Sequence, residues 1–243
     1  MIGAVTGGRD HWASLAELEA AAAEFAARGV EVVRDGDAAG VDRTWAGWSK
    51  SRGLFTRDKY PADWTRFGTA AGPIRNRDML AGEPPDLFGS TGRDRVGILA
   101  AFTGNDGTAD CCDAAAGMGI EVVQIRAKPE PRIWNRHHGD PPGEAVYVGR
   151  NASNPSKSHP LANPEPLEVQ RGETRAQAVT RNLQGYRRWL WSRINPRSPD
   201  VDPRVGAALG ALTPAMYLVC SCWPAQCHAE IIVRAWRSNR VRP

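Results

Sequence analysis

Residues 99–119 read LAAFTGNDGTADCCDAAAGMG, and this stretch decides the fold. An apolar run at 98–102 ends in Thr103-Gly104-Asn105-Asp106-Gly107-Thr108, and a small-residue segment follows at once. Strand, glycine turn, helix is the order that brings backbone N–H groups and a helix N-terminus to the carboxyl edge of a parallel sheet. Such a corner holds anions, phosphate above all, without needing a cationic side chain. Two earlier stretches end in the same way: Gly7-Gly8-Arg9 follows an apolar run at 2–5, and Gly36-Asp37 follows one at 30–33.

Working outward, apolar spacing predicts strands at 2–5, 30–33, 54–60, 98–102 and 120–125. Helices are predicted over 15–28, 41–51, 68–80 and 108–117. Ser14 with Glu17 three residues on reads as a capping box at the first helix. Strand and helix alternate throughout, so the expected class is α/β, a doubly wound parallel sheet of Rossmann-like kind. In such sheets ligands lie beyond the carboxyl ends of the strands. Residues 82–95 read as a loop insertion. Residues 127–144, rich in proline, read as a linker that closes a first domain at 126. A smaller α/β domain is expected over 145–243, with strands at 145–148 and 216–220 and helices at 173–194, 203–212 and 227–236.

No apolar run reaches the roughly 20 residues that a membrane span needs. The start, MIGAVTGGRD, lacks a basic region followed by an apolar core, so a secretory signal is not expected. Five cysteines, three of them between 220 and 227, make a poor disulfide framework, and the expected compartment is a reducing cytoplasm. The net charge of +4 is uneven: residues 150–243 hold 14 Lys+Arg against 6 Asp+Glu. That basic half invites a polyanion, but its aromatics do not interleave with the arginines and no DNA-reading motif is present, so nucleic acid is not the expected partner.

The strand ends carry the candidate ligand-binding residues. Gly7 and Gly8 let a ligand approach the backbone, and Arg9 can pair with a phosphate. In Gly36-Asp37-Ala-Ala-Gly40-Val-Asp42-Arg43, Asp37 is placed to accept from ribose hydroxyls, and Asp42 to cap or support the helix. Trp64 adds an aromatic plane, and Arg75-Asn76 a second arginine with an amide. Gly104, Gly107 and Thr108 would hold the phosphate.

These motifs, with Pro61-Ala62-Asp63-Trp64 and Gly72-Pro73-Ile74-Arg75-Asn76, resemble the SLOG superfamily of Rossmann-like nucleotide-binding domains over residues 1–125, most closely its YspA-like branch. The resemblance implies a site for a nucleotide or a nucleotide-derived signal. Some relatives, the cytokinin-activating enzymes, hydrolyse the N-glycosidic bond of nucleoside monophosphates and carry a signature like Pro-Gly-Gly-x-Gly-Thr-x-x-Glu. Here Thr103 stands for the proline, Asn105 for the second glycine and Cys111 for the glutamate. Asp110 or Asp113 could substitute for that carboxylate, and Asp110 is the candidate catalytic residue.

The second domain has its own cluster, Cys220-Ser-Cys222-Trp-Pro-Ala-Gln-Cys227-His228. Cys220, Cys222, Cys227 and His228 could ligate zinc. Alternatively, Cys227 and His228 at a helix start form a reactive, catalytic pair, because the helix dipole lowers a thiol's pKa. Local packing is the third reading. Residues 145–237 resemble a family of unknown function found in bacterial and phage proteins, through Val146-Tyr147-Val148-Gly149-Arg150, Asn163-Pro164 and the Cys-His motif. Arg150 and Asn163 are its candidate ligand-binding residues. The expected function is nucleotide binding with possible N-glycosidic hydrolysis or exchange; a non-catalytic sensor or sequestering module is the alternative. A homo-oligomer is expected.

Overall fold

The structure, a computed structural model, describes residues 1–82 and 94–240. The loop insertion read at 82–95 falls almost wholly outside the described residues. The chain divides into two units, Met1–Lys128 and Pro129–Pro243.

The first unit runs β1 (Ile2–Thr6), α1 (Leu15–Ala27), β2 (Val32–Asp35), α2 (Val41–Lys50), β3 (Thr56–Lys59), α3 (Trp64–Phe67), α4 (Ala71–Ala81), β4 (Ile98–Ala101), α5 (Asp106–Gly117) and β5 (Glu121–Gln124). The strands form one parallel sheet in the order β3-β2-β1-β4-β5. From β1 the chain winds outward one way through β2 and β3, then returns to lay β4 on the other side of β1. The crevice for a ligand therefore opens between the ends of β1 and β4.

The elements follow from their residues. Ile98-Leu99-Ala100-Ala101 is buried on both faces, as a central parallel strand must be. Ser14 and Glu17 cap α1 reciprocally, which satisfies its first orphan N–H groups. Leu15, Leu18, Ala21 and Phe25 then share its buried face. Phe25 meets Trp45 of α2 edge-on at 5.4 Å. Arg34 of β2 is the exception in the core: fully buried, it pairs with Asp58 at 3.2 Å and donates to the Met79 carbonyl at 3.0 Å. Both ends of that buried charge are thus answered, as burial demands, and α4 is tied to the sheet.

The second unit runs β6 (Arg132–Asn135), β7 (Ala145–Tyr147), α6 (Arg175–Ile194), α7 (Pro203–Gly210), β8 (Tyr217–Cys220) and α8 (His228–Arg240). Its sheet is parallel, in the order β6-β8-β7. The linker read at 127–144 is corrected here. Arg132–Asn135 is a strand of this sheet, with Ile133 and Trp134 buried against the unit's core. Prolines on either side hide it, because two apolar residues are too few to show a period. Nearby, Arg237 of α8 forks onto the buried Glu130 carboxylate, so the segment before β6 is also held. Among the described residues no helix is long and apolar enough to cross a membrane.

Candidate functional site

Beyond the carboxyl ends of β1 and β4 lies a cleft of about 440 Å³. That is within the roughly 300–1,000 Å³ range of small-molecule sites. Thr6 and Gly7 floor it from β1, and Asn105, Asp106, Gly107 and Thr108 bring the start of α5. From α4 come Arg75, Asn76 and Met79; Trp64 of α3 and Arg9 stand at the other side.

The start of α5 is built to be open. The Asn105 side chain makes no capping hydrogen bond. Gly104 allows the turn: a Cβ there would stand 1.9 Å from the Thr108 hydroxyl and 2.9 Å from the Gly8 nitrogen. Thr108 Oγ1 is itself buried and has no hydrogen-bond partner. A second buried orphan belongs to another residue of the cleft wall: the Nε of Arg75 has no hydrogen-bond partner. The Arg75 guanidinium lies flat on Gly36, where a Cβ would meet its Nη1 at 1.0 Å. The same nitrogen donates to the Tyr60 carbonyl at 3.3 Å and stands 4.0 Å from Asp42. Arg9 sits over the Trp64 ring at 5.0 Å.

The acidic side of the cleft is equally ordered. Asn76 donates to the Asp110 carboxylate at 2.8 Å and to the Gly107 carbonyl at 3.3 Å. Asp42 is buried and accepts from the backbone N–H groups of Gly36, at 3.0 Å, and Ala38, at 3.3 Å. Burial, reinforced by the nearby Asp35 carboxylate, pushes Asp42 up to about 6.

Most of the first unit's sequence-predicted residues therefore meet in one place: Gly7, Arg9, Asp42, Trp64, Arg75, Asn76, Gly107, Thr108 and Asp110 all line this cleft. Gly8 and Gly104 lie behind it, joined through the Gly8 N–H to the Thr103 carbonyl at 2.9 Å. Asp37 is a partial miss. It lines an adjoining hollow of about 290 Å³, with Arg43. Its carboxylate is already taken by Arg57 at 2.7 Å and Lys59 at 3.3 Å, and the Arg57 hydrogen bond holds its pKa down. Arg57, which also grips Asp35 at 2.5 Å, was the missed signal: a lone arginine on an edge strand announces nothing in the sequence. Asp106 and Asn105 were missed as lining residues as well.

Cys111, at the position that the resemblance gives to a glutamate, does not line the cleft but lies beneath it, within reach of the Thr6 side chain. It is fully buried in the core with Leu99 and Ala115, and burial pushes its thiol up to about 12. One residue earlier is about 100° around the helix, which is why Asp110 reaches the cleft and Cys111 does not.

In the second unit, Cys220, Cys222 and Cys227 bring their sulfur atoms within 4.8 Å of one another, close enough to hold a metal ion. Cys227 Sγ is 2.9 Å from that of Cys222 and 3.1 Å from that of Cys220. His228 Nδ1 is 3.9 Å from Cys227 Sγ, and Nε2 is 2.7 Å from the Val148 carbonyl. A carbonyl only accepts, so Nε2 carries the proton and Nδ1 keeps its lone pair. Cys227 is 2% exposed, and burial drives its thiol up, while hydrogen bonds from Cys222 and Cys227 pull that of Cys220 down; burial thus counts against the reactive-thiolate reading of Cys227. Arg150 lines a separate hollow with His159. Asn163 is not part of it. Both ends of its amide are occupied, by Asn182 at 2.7 Å and by the Glu165 N–H at 3.1 Å, so its role is to hold the loop.

Compared with known proteins, no curated sequence and no solved structure matches this chain. Residues 134–238 match the family described as Domain of unknown function (DUF4326), which begins within β6 and ends within α8.

Proposed function

We propose that the first unit binds a nucleotide or nucleotide-derived ligand, with its phosphate at the start of α5 and its sugar toward Asp110. The observation that carries this is that two residues of one cleft wall, Thr108 and Arg75, each hold a buried polar atom without a partner, Oγ1 and Nε. Unpaired buried polar groups are costly, and a ligand oxygen is the partner they lack. The mixed charge supports the same class. Two arginines and three carboxylates line the cleft. A molecule with both an anionic end and hydroxyl groups uses both kinds, whereas a bare polyanion would be repelled by the second. The SLOG resemblance agrees.

For chemistry, Asp110 is the carboxylate to stabilise charge at the sugar's anomeric carbon while water replaces the base and the base leaves with a proton. Against turnover stands Cys111, whose burial removes the family's own carboxylate position from the cleft. That favours the second reading, a sensor or sequestering module. Incubation with nucleoside 5′-monophosphates followed by mass spectrometry separates them: free base means hydrolysis, and intact nucleotide retained by the protein means binding alone. If no nucleotide of the panel is either cleaved or retained, the proposal falls. Native mass spectrometry of the same sample tests the expected homo-oligomer.

We propose zinc for the second unit's cluster. Three thiols gathered within 4.8 Å supply three ligands of a structural site, and the His228 Nδ1, 3.9 Å from Cys227 Sγ, is the nearest candidate for a fourth. The carbonyl of Val148 supplies the outer contact that orients such a histidine. Tetrahedral zinc–sulfur bonds of about 2.3 Å put sulfurs roughly 3.8 Å apart, so the trio needs to open by less than about 1 Å.

A further inference from the structure

The carboxyl ends of β6 and β7 border a hollow of about 550 Å³ that the nucleotide reading leaves unused. Arg136 follows β6 directly, and Arg150 stands three residues past β7. Lys157 and His159 close the hollow from the loop beyond. None of the lining residues is acidic. Neither Arg150 nor Lys157 has an ion-pair partner among the described residues.

The walls are already held. The Asn151 N–H donates to Ser158 Oγ at 2.9 Å, which closes the loop between Arg150 and His159. His159 Nδ1 accepts from the Leu161 N–H at 3.2 Å, so in the neutral ring Nε2 is the donor. His228 clamps the Val148 carbonyl, two residues before Arg150. Arg136 lies over the Tyr147 ring at 5.6 Å and donates to its hydroxyl at 3.3 Å. Arg136 thus stands against one face of that ring, and Tyr147 stays 42% exposed at the rim of the hollow.

We propose that this hollow is an anion site for a small molecule bearing one or two phosphate groups. Three permanent cations around one concavity repel one another unless an anion joins them. Guanidinium forks match phosphate oxygens, and lysine adds a point charge. The shape selects a small molecule over a nucleic acid, whose phosphates need cations spaced along a surface. The three cations answer phosphate oxygens by themselves, so the assignment requires no base. Inorganic pyrophosphate is thus a sufficient probe, and one that the carboxylate-lined cleft of the first unit disfavours.

The test is calorimetric titration of the full chain with inorganic pyrophosphate, at low salt. One site is expected, weakened at least about tenfold in the double variant Arg150→Gln/Lys157→Gln and weakened by added sodium chloride. Arg75→Gln should leave it unchanged, and circular dichroism with a thermal melt should find the double variant folded. Absence of pyrophosphate binding overturns the assignment. So does binding that is lost with Arg75→Gln and kept in the double variant. An oligonucleotide that binds the full chain and is not displaced by pyrophosphate overturns the small-molecule class. Nucleotide binding at the first unit's cleft is read separately, because the double variant leaves that cleft intact.

Discussion

The Asn76 amide holds the Asp110 carboxylate at 2.8 Å, so α4 sets the direction of a carboxylate that α5 carries. If the protein turns over nucleotides, Asp110→Asn should lower kcat by about 100-fold or more while nucleotide affinity changes little. Asn76→Ala should lower kcat less, with KM nearly unchanged, as expected of a positioning residue. Release of free base, followed by mass spectrometry, and calorimetry on the same variants check both.

Gly36 and Gly104 are both needed for space, with different consequences. At Gly36 the obstacle is the far end of Arg75, which can move. Gly36→Ala should therefore leave stability nearly unchanged but weaken nucleotide binding about tenfold, some 1.4 kcal/mol. At Gly104 the obstacles are Thr108 and the backbone of Gly8. Gly104→Ala should cost about 1–3 kcal/mol in urea unfolding.

Asp42 gives the first unit a pH signature. Its carboxyl is pushed up to about 6 in the folded state, from about 3.9 when unfolded. Between these values the folded state binds more protons, so Asp42's contribution to stability falls as pH rises from about 4 to about 6. Asp42→Asn removes that slope. Unfolding free energies of the two proteins, measured at pH 4.5 and 7.0, should diverge: the variant gains relative to the parent at the higher pH.

Zinc, if it fills the Cys220–Cys222–Cys227 cluster, should appear at one equivalent per chain by elemental analysis. A strong chelator should release it and lower the melting temperature of the second unit. His228→Ala should weaken retention more than a surface substitution such as Arg187→Ala. Protein purified from zinc-containing medium with no metal and no response to chelator would remove the assignment.

The first sheet was legible because three of its strands, β1, β2 and β4, end in glycine-bearing turns, and strand and helix signals alternate along the chain. Ser14 with Glu17, and the buried run at 98–101, are examples. The cleft was legible for the same reason, since strand order brings Gly7, Gly36 and Gly104 to one edge. What the pattern could not show was competition. Asp37 looks like a ribose acceptor in sequence, but Arg57, on the neighbouring strand, occupies it. Pairing across strands depends on register, which no local spacing reveals. Asn163 fails as a ligand group for a like reason: its partner, Asn182, is far along the chain on α6. The Cys-His motif was legible as chemistry, and the burial of Cys227, which only the fold shows, favours ligand over nucleophile.

The middle position of β8 dictates how this chain can be cut. A fragment beginning at residue 145 would delete β6, and one beginning at 134 would halve it. Either would bare a row of amide and carbonyl groups along β8, and a naked edge of that kind recruits strands from other molecules. Expression of the second unit in isolation should start no later than Pro129, which retains Glu130 and its anchor on Arg237.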